Sequence, residues 1–382
     1  MISCETTDFL NRLESVNWDF TGPNNREHIH DIHPYPAKFI PQIPRELIRL
    51  FHPRDHSAVL DPFCGSGTTL VEAVKLGLPT IGIDLHPLAA LIAKTKTTPL
   101  KSSILPVAQA LVAKARGEHT NIPPIPNLDH WFMSDIQQAL ANLTYRIDQI
   151  EDMICRDCLK VALSRIINRV SNQESDTRYA AIKKSVSSND VYSLFLTSVS
   201  FIESALLETY SGVFCSEPKC SVINQNILEV KPESIGKNIG LVVTSPPYPN
   251  AYEYWLYHKY RMYWLGMDPQ LVRKAEIGAR PNYFRKNPET ESDFEEQMTQ
   301  VFKLLASVMI NKSIACFIVG RSVIHKREID NGMILERAGA LCGFQMVAKV
   351  TRKIPSAQKS FNPVLSTINQ EAIIIFQLGS IG

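Results

Sequence analysis

With 382 residues, the chain is longer than a typical single compact domain, so a main domain carrying a large insertion or a second domain is expected. An apolar content of 45% and a charged content of 20% exclude a disordered polymer and fit an ordinary soluble globular protein. A formal net charge of +2 excludes binding of a polyanion through overall charge, so any nucleic acid must meet a local basic patch.

The first twenty residues, "MISCETTDFLNRLESVNWDF", are polar and have no apolar signal-peptide core. No run is expected to reach the length of a membrane span, and apolar stretches such as "IACFIVG" read as buried strands. The eight cysteines lack the spacing of a disulfide framework, which suggests reduced thiols and a cytoplasmic location. Cys155 and Cys158 could pair with Cys215 and Cys220 in a four-thiolate zinc site. The alternative makes "DMICRDCLKVALSRII" one amphipathic helix with both thiols as small core residues, and the chain is read without a metal site.

In chain order, residues 1–30 form a polar lead-in. "HPYPAKFIPQIPRELIRLF" is a proline-punctuated loop feeding a helix. "SAVLDPFCGSGTTLVEAVKLG" reads as strand, glycine loop, helix, and "PTIGIDLHPLAALIAKTKT" as strand, acidic end, helix. Two successive βα units indicate a doubly wound parallel sheet. Residues 101–216 are mostly helical and are taken as an insertion. Strand patterning returns with "CSVINQNILEV" and "GLVVTSPPY", followed by an aromatic helical run, "NAYEYWLYHKYRMYWLG". A basic segment, a further helix and three strands complete the chain: "SIACFIVG", "FQMVAKVTRKI" and "EAIIIFQL". Residues 31–100 and 217–382 would together form one catalytic domain.

Two places on this outline carry chemistry. "DPFCGSGTT" lies between an apolar run and a helix. Glycines at such a turn let the backbone approach a ligand closely, and the helix N-terminus favours polar or anionic groups. The Gly-Lys-Ser/Thr ending of a P-loop is missing, which argues against a triphosphate. A plain tight turn would need one glycine and would leave Asp61, Phe63 and the doubled Gly-x-Gly of Gly65, Ser66 and Gly67 without a purpose. Asp84 ends the next strand. There it can accept both hydroxyls of a ribose, or simply cap a helix. A ribose without a phosphate-binding lysine fits S-adenosylmethionine.

The second place is "TSPPY", where two prolines stop a strand at an aromatic residue. With it, the chain resembles the DNA amino-methyltransferases. That family carries a glycine motif of the form DPFxGSGTT, here Asp61 to Thr69. It also carries a tetrapeptide [Ser/Asp/Asn]-Pro-Pro-[Tyr/Phe/Trp], here Ser245 to Tyr248. "HPYPAKF" resembles the element that closes over the methionine end of the cofactor. The resemblance covers roughly residues 30–95 and 220–378. It implies an α/β, Rossmann-like methyltransferase fold with a mixed seven-stranded sheet, helices on both faces, and a helical insertion outside the shared part.

The resemblance further implies S-adenosylmethionine as cofactor, held by Tyr35, Lys38, Asp61, Phe63, Gly65, Ser66, Gly67, Thr68 and Asp84. Asn226, or less directly Glu229, would meet the adenine. Ser245, Pro246, Pro247 and Tyr248 would form the catalytic loop. An exocyclic amine is a poor nucleophile because its lone pair is delocalised into the ring. Ser245 and the Pro246 carbonyl would accept its hydrogen bonds and localise that lone pair, the prolines would fix the loop, and Tyr248 would stack on a flipped base. Serine at the first tetrapeptide position accompanies cytosine-N4 methylation in the family. Adenine-N6 methylation of DNA, RNA base methylation and a non-catalytic nucleic-acid-binding relative are the alternatives. Carbon-5 methylation needs a cysteine nucleophile, usually beside proline, and the chain has no Pro-Cys dipeptide.

The expected partner is double-stranded DNA, with no membrane and with a cognate restriction endonuclease acting separately. Two basic segments, 165–184 and 273–286, are candidates for DNA contact. Their residues are Arg165, Arg169, Asn172, Gln173, Arg178, Lys183 and Lys184 in the first and Arg280 in the second.

Overall fold

The computed structural model describes residues 11–20, 27–36, 40–53, 56–176, 178, 180–211, 220–250, 253–354 and 370–379. Seven strands form one sheet. They are β1 (Ala58–Asp61), β2 (Thr80–Asp84), β3 (Cys220–Asn224), β4 (Ile239–Thr244), β5 (Met309–Gly320), β8 (Phe344–Lys353) and β9 (Gln370–Leu378), in the order β3-β2-β1-β4-β5-β9-β8. The first five run parallel, and β9 runs antiparallel to both β5 and β8. This is the α/β, Rossmann-like methyltransferase fold expected from the sequence. A separate hairpin, β6 (Ser322–Ile324) with β7 (Arg327–Ile329), was not legible in the sequence.

The central strand β4 is buried at every position, as a parallel strand covered on both faces requires. Its side chains alternate between two cores. Leu241 and Val243 meet Ile43, Leu47 and Ile48 of the helix Gln42–Phe51, together with Ile373 and Ile375 of β9. Val242 faces the other way, with Ile374 and Phe376, onto the helix Glu291–Val308. That helix starts at a capping box of Thr290 and Asp293. Its Phe302 sits at ring-centroid distances of 4.9, 5.1 and 5.4 Å from Phe317, Phe344 and Phe376.

Between the helix Pro87–Thr97 and β3 lies a block of helices: Leu105–Ala115, Leu128–Trp131, Ser134–Asp148, Met153–Val170 and Ser188–Tyr210. Its core is continuous with Leu88 and Ile92 of the helix Pro87–Thr97 and with Met262 and Trp264 of the helix Tyr254–Trp264. The aromatic run after "TSPPY" therefore packs onto this block. One expectation is corrected here: the helix Ser188–Tyr210 is long and apolar enough to cross a membrane. Val191, Phe195, Val199, Ile202 and Leu206, spaced along one stripe, bury it in the block. Cys155 and Cys158 also lie in this core, on the helix Met153–Val170, and burial pushes their thiols up to about 11 and 12. Cys215, the third thiol of the zinc reading, lies outside the described residues.

Candidate functional site

The strand order reverses between β1 and β4, so a crevice opens beyond their carboxyl ends. Asp61 ends β1, Asp84 ends β2 and Thr244 ends β4, all at this edge. The Asp61 carboxylate accepts hydrogen bonds from Thr244 Oγ1 at 2.7 Å and the Phe63 amide at 3.1 Å, and so ties β1 to β4. Asp84 accepts from the Gly65 amide and from the His86 amide, each at 2.8 Å. One carboxylate thus holds the glycine loop and the entry of the next helix. Gly67 has φ 83°, and a Cβ there would lie 2.9 Å from the Cα of Ala93. Only glycine lets the helix Pro87–Thr97 pack this closely against the loop.

A cleft with about 850 Å³ of free space, partly open to solvent, occupies the crevice. It is lined by Tyr35, Phe63, Gly65, Ser66, Thr68, Asp84, Asn226, Ser245 and Pro247, which the sequence had singled out from three distant segments. Asp61, Gly67 and Pro246 are not among the lining residues. Asp61 is 1% exposed, and Pro246 is buried. Tyr248 packs against the core that holds Val242 and Phe302. Lys38 lies outside the described residues. Asn226 lines the cleft with its side-chain oxygen accepting from the Leu228 amide at 3.1 Å.

Sequence reasoning missed several lining residues: Leu85, His86, Gln225, Ile227, Tyr254, and Val272, Ala275, Glu276 and Ile277. Ala275, Glu276 and Ile277 belong to the segment 273–286 that the sequence offered for DNA contact, and Val272 adjoins it. Glu276 Oε1 accepts from the Tyr254 amide at 2.9 Å, while Oε2 is buried without a hydrogen bond of good geometry. Burial pushes Glu276 up to about 8, reinforced by Glu253 and Asp84 and opposed by the Tyr254 and Trp255 amides. Burial likewise raises Asp61 and Asp84, each to about 6. The cleft therefore holds carboxylates whose charge is poorly compensated by the surrounding protein.

Beside it lies a cluster of rings. Tyr35 stacks on Tyr254 and on His258, with centroids 5.8 and 5.0 Å apart, and His86 meets His258 edge-on at 5.2 Å. His33 Nε2 lies 2.9 Å from Ser164 Oγ of the helical block. Burial holds His86 down to about 4, and His33 and His258 well below the usual imidazole range.

The proposed DNA contacts of the helical block divide. Arg165 lies over the Phe201 ring at 4.2 Å, Asn172 donates to the His130 carbonyl at 3.0 Å, and Lys184 to the Asn168 carbonyl at 2.8 Å. Gln173 is 4% exposed and donates to the Ser175 carbonyl. Asn172, Gln173 and Lys184 thus satisfy backbone carbonyls, whereas Arg165 covers a ring. Arg169, Arg178, Lys183 and Arg280 are exposed, with Arg178 paired to Glu174 at 3.0 Å. Elsewhere, ligand atoms of Glu27, His30 and Glu72 lie within 4.8 Å of one another. The two carboxylates there are paired with Arg45 and Lys75, which already supply the positive charge.

Residues 7–95 match the family model described as DNA methylase. The chain is 28% identical over 252 residues to the Type II methyltransferase M.MvaI of Kocuria varians, covering 61% of this chain and 56% of that protein. It is 46% identical over 86 residues to the Type II methyltransferase M.MjaII of Methanocaldococcus jannaschii, covering 21% of this chain and 16% of that protein. To the Type II methyltransferase M.BsoBI of Geobacillus stearothermophilus it is 22% identical over 300 residues, covering 71% and 58%. The chain spans little more than half the length of the first and last of these. Over the regions they cover, these matches support placement in a DNA methyltransferase family.

Proposed function

We propose that this chain transfers a methyl group from S-adenosylmethionine to the N4 amine of a cytosine flipped out of duplex DNA. One observation carries the reading. Ser245 and Pro247, on a loop that leaves the central strand, line the same cleft as the glycine loop and Asp84. The donor set fits the cofactor, because the poorly compensated carboxylates Asp84 and Glu276 suit a ligand that is cationic overall. Asp84 and Asn226 would hold the nucleoside part, and Tyr35 with Ser66 and Thr68 the amino-acid part.

When bound, the sulfonium supplies an electrophilic methyl. Ser245 and the Pro246 carbonyl hold the two amine hydrogens and turn the nitrogen lone pair towards that methyl. Tyr248 supports the base by stacking. The bound cofactor would supply the methyl group and leave as S-adenosylhomocysteine, and the surplus amine proton would pass to solvent. The two prolines keep the acceptors in place at little entropic cost. Arg169, Arg178, Lys183 and Arg280 remain as exposed cations for duplex phosphates. The biological role in this reading is the modification half of a restriction system in the cytoplasm, with the endonuclease acting separately.

Nucleoside mass spectrometry of DNA from expressing cells tests the reaction. N4-methylcytosine is expected with the wild type and absent with Ser245→Ala and Tyr248→Ala, while both variants keep cofactor binding by calorimetry. N6-methyladenine instead would overturn the role given to Ser245, and neither modified base would overturn the DNA reading.

A further inference from the structure

The β6–β7 hairpin is joined by the two-residue loop His325-Lys326, and both residues have positive φ, 47° and 66°. Hairpins with this turn use asparagine and glycine, because other side chains crowd the backbone there at a cost of about 1 kcal/mol or more each. A histidine and a lysine at the tip therefore cost stability that an asparagine-glycine turn would not. His325 is locked in place: its Nε2 donates to the Tyr283 carbonyl at 3.1 Å, and its ring meets Phe284 at 4.8 Å. Phe284 is 49% exposed, with the Arg280 guanidinium 5.7 Å from its centroid.

This surface is built onto the catalytic loop. Asn250 Nδ2 donates to the Val323 carbonyl of the hairpin at 2.5 Å, and the Asn250 amide donates to the Gly278 carbonyl at 3.0 Å. A Cβ on Gly278 would lie 2.8 Å from the Tyr248 carbonyl oxygen, so the segment leading to Arg280 lies directly against Tyr248. Six exposed cations gather here: Arg280, Arg285, Lys286, Arg321, Lys326 and Arg327. Among the described residues, carboxylates lie near two of them: Glu289 pairs with Arg285 and Glu328 with Arg321, and Asp293 and Asp330 also act on these two arginines.

We propose that the β6–β7 hairpin, with Arg280 and Phe284 beside it, grips duplex DNA next to the catalytic loop. Lys326 and Arg327 take phosphates, and the exposed Phe284–His325 pair lies against the helix. The inference rests on the DNA reading above and names the element that binds the duplex. Charge complementarity favours a polyanion. The approach of Gly278 to the Tyr248 carbonyl, and the bond of Asn250 to the hairpin, place this surface where a duplex must lie if one of its bases is to reach the cleft.

The test is fluorescence anisotropy of the full chain with a labelled mixed-sequence 40-base-pair duplex over a range of salt. Lys326→Ala with Arg327→Ala should lower the slope of log affinity against log salt by about 2 and weaken binding at least about tenfold at 0.1 M salt. Arg178→Ala with Lys183→Ala, on the helical block, should change the slope by less. Retained binding of S-adenosylhomocysteine by calorimetry verifies that each variant is folded. An unchanged slope in the hairpin variant overturns the inference and leaves the DNA reading standing, as does a fall confined to the helical-block variant. Failure of the wild type to bind the duplex overturns both.

Discussion

Glu276 brings a carboxylate into the cleft, and its only good hydrogen bond is to the amide that opens the aromatic helix. Two roles compete for it: capping that helix, and offsetting a ligand cation. They separate by ligand charge, because S-adenosylmethionine carries one more positive charge than its demethylated product. At pH 9, above its pKa of about 8, Glu276 is ionised, and Glu276→Gln removes that charge and keeps the shape. Calorimetry is expected to give about a tenfold loss of affinity for S-adenosylmethionine and little change for S-adenosylhomocysteine, roughly one pK unit of lost interaction. Equal losses for both would leave capping as its whole role. His86 is expected to act in the opposite sense on stability. Its folded pKa of about 4 lies below the unfolded 6.5, so the unfolded chain binds more protons between these values. Its contribution is full above pH 6.5 and is lost as pH falls towards 4. His86→Phe should therefore flatten the fall in Tm over that window, by on the order of 2 kcal/mol at pH 5. Asp61 and Asp84 drift the other way in both proteins and cancel in the comparison.

Among the elements, the segment from the helix Pro269–Ala275 to Phe284 does two jobs. It closes one side of the cleft through Val272, Ala275, Glu276 and Ile277, and it backs the Ser-Pro-Pro-Tyr loop through Gly278. Gly278 has φ 74° and leaves no room for a side chain. Gly278→Ala is expected to displace the Tyr248 carbonyl. Methylation should fall at least about tenfold, with cofactor affinity held within a few fold and stability reduced by about 1–3 kcal/mol. Local signals made the strand–glycine loop–helix unit, Asp84 and the Ser-Pro-Pro-Tyr loop readable in advance, since each is encoded in one short continuous stretch. Glu276 was not readable, because only tertiary packing carries it back across the cleft. The hairpin stayed hidden because His325-Lys326 lacks the glycine or asparagine that announces such a turn. The backbone bonds of Gln173 and Lys184 were hidden for a related reason: composition shows polar groups and not which of them the backbone uses.

At the scale of the molecule, sheet and helical block are held by several independent ties. Arg261, 1% exposed, donates to the Ser164 carbonyl at 3.1 Å and pairs with Asp176. The same helix begins at Tyr254 on the cleft and ends at Trp264 in the core of the block. Removing residues 101–216 to make a smaller enzyme would therefore strip the cover from Trp264 and Met262 and take away the Ser164 partner of His33. Such a truncated chain is expected to melt well below the parent and to lose cofactor binding in calorimetry. A truncation that binds normally would show the block to be separable.

The helix Tyr254–Trp264 has a consequence for engineering as well. It works as a rigid spoke with one end in the cleft and the other in the hub of the inserted helices. Swapping that block between relatives would also reset the cleft's aperture. Chimaeras should be cut on the far side of the spoke, so that residues 254–264 travel with the block they were fitted to.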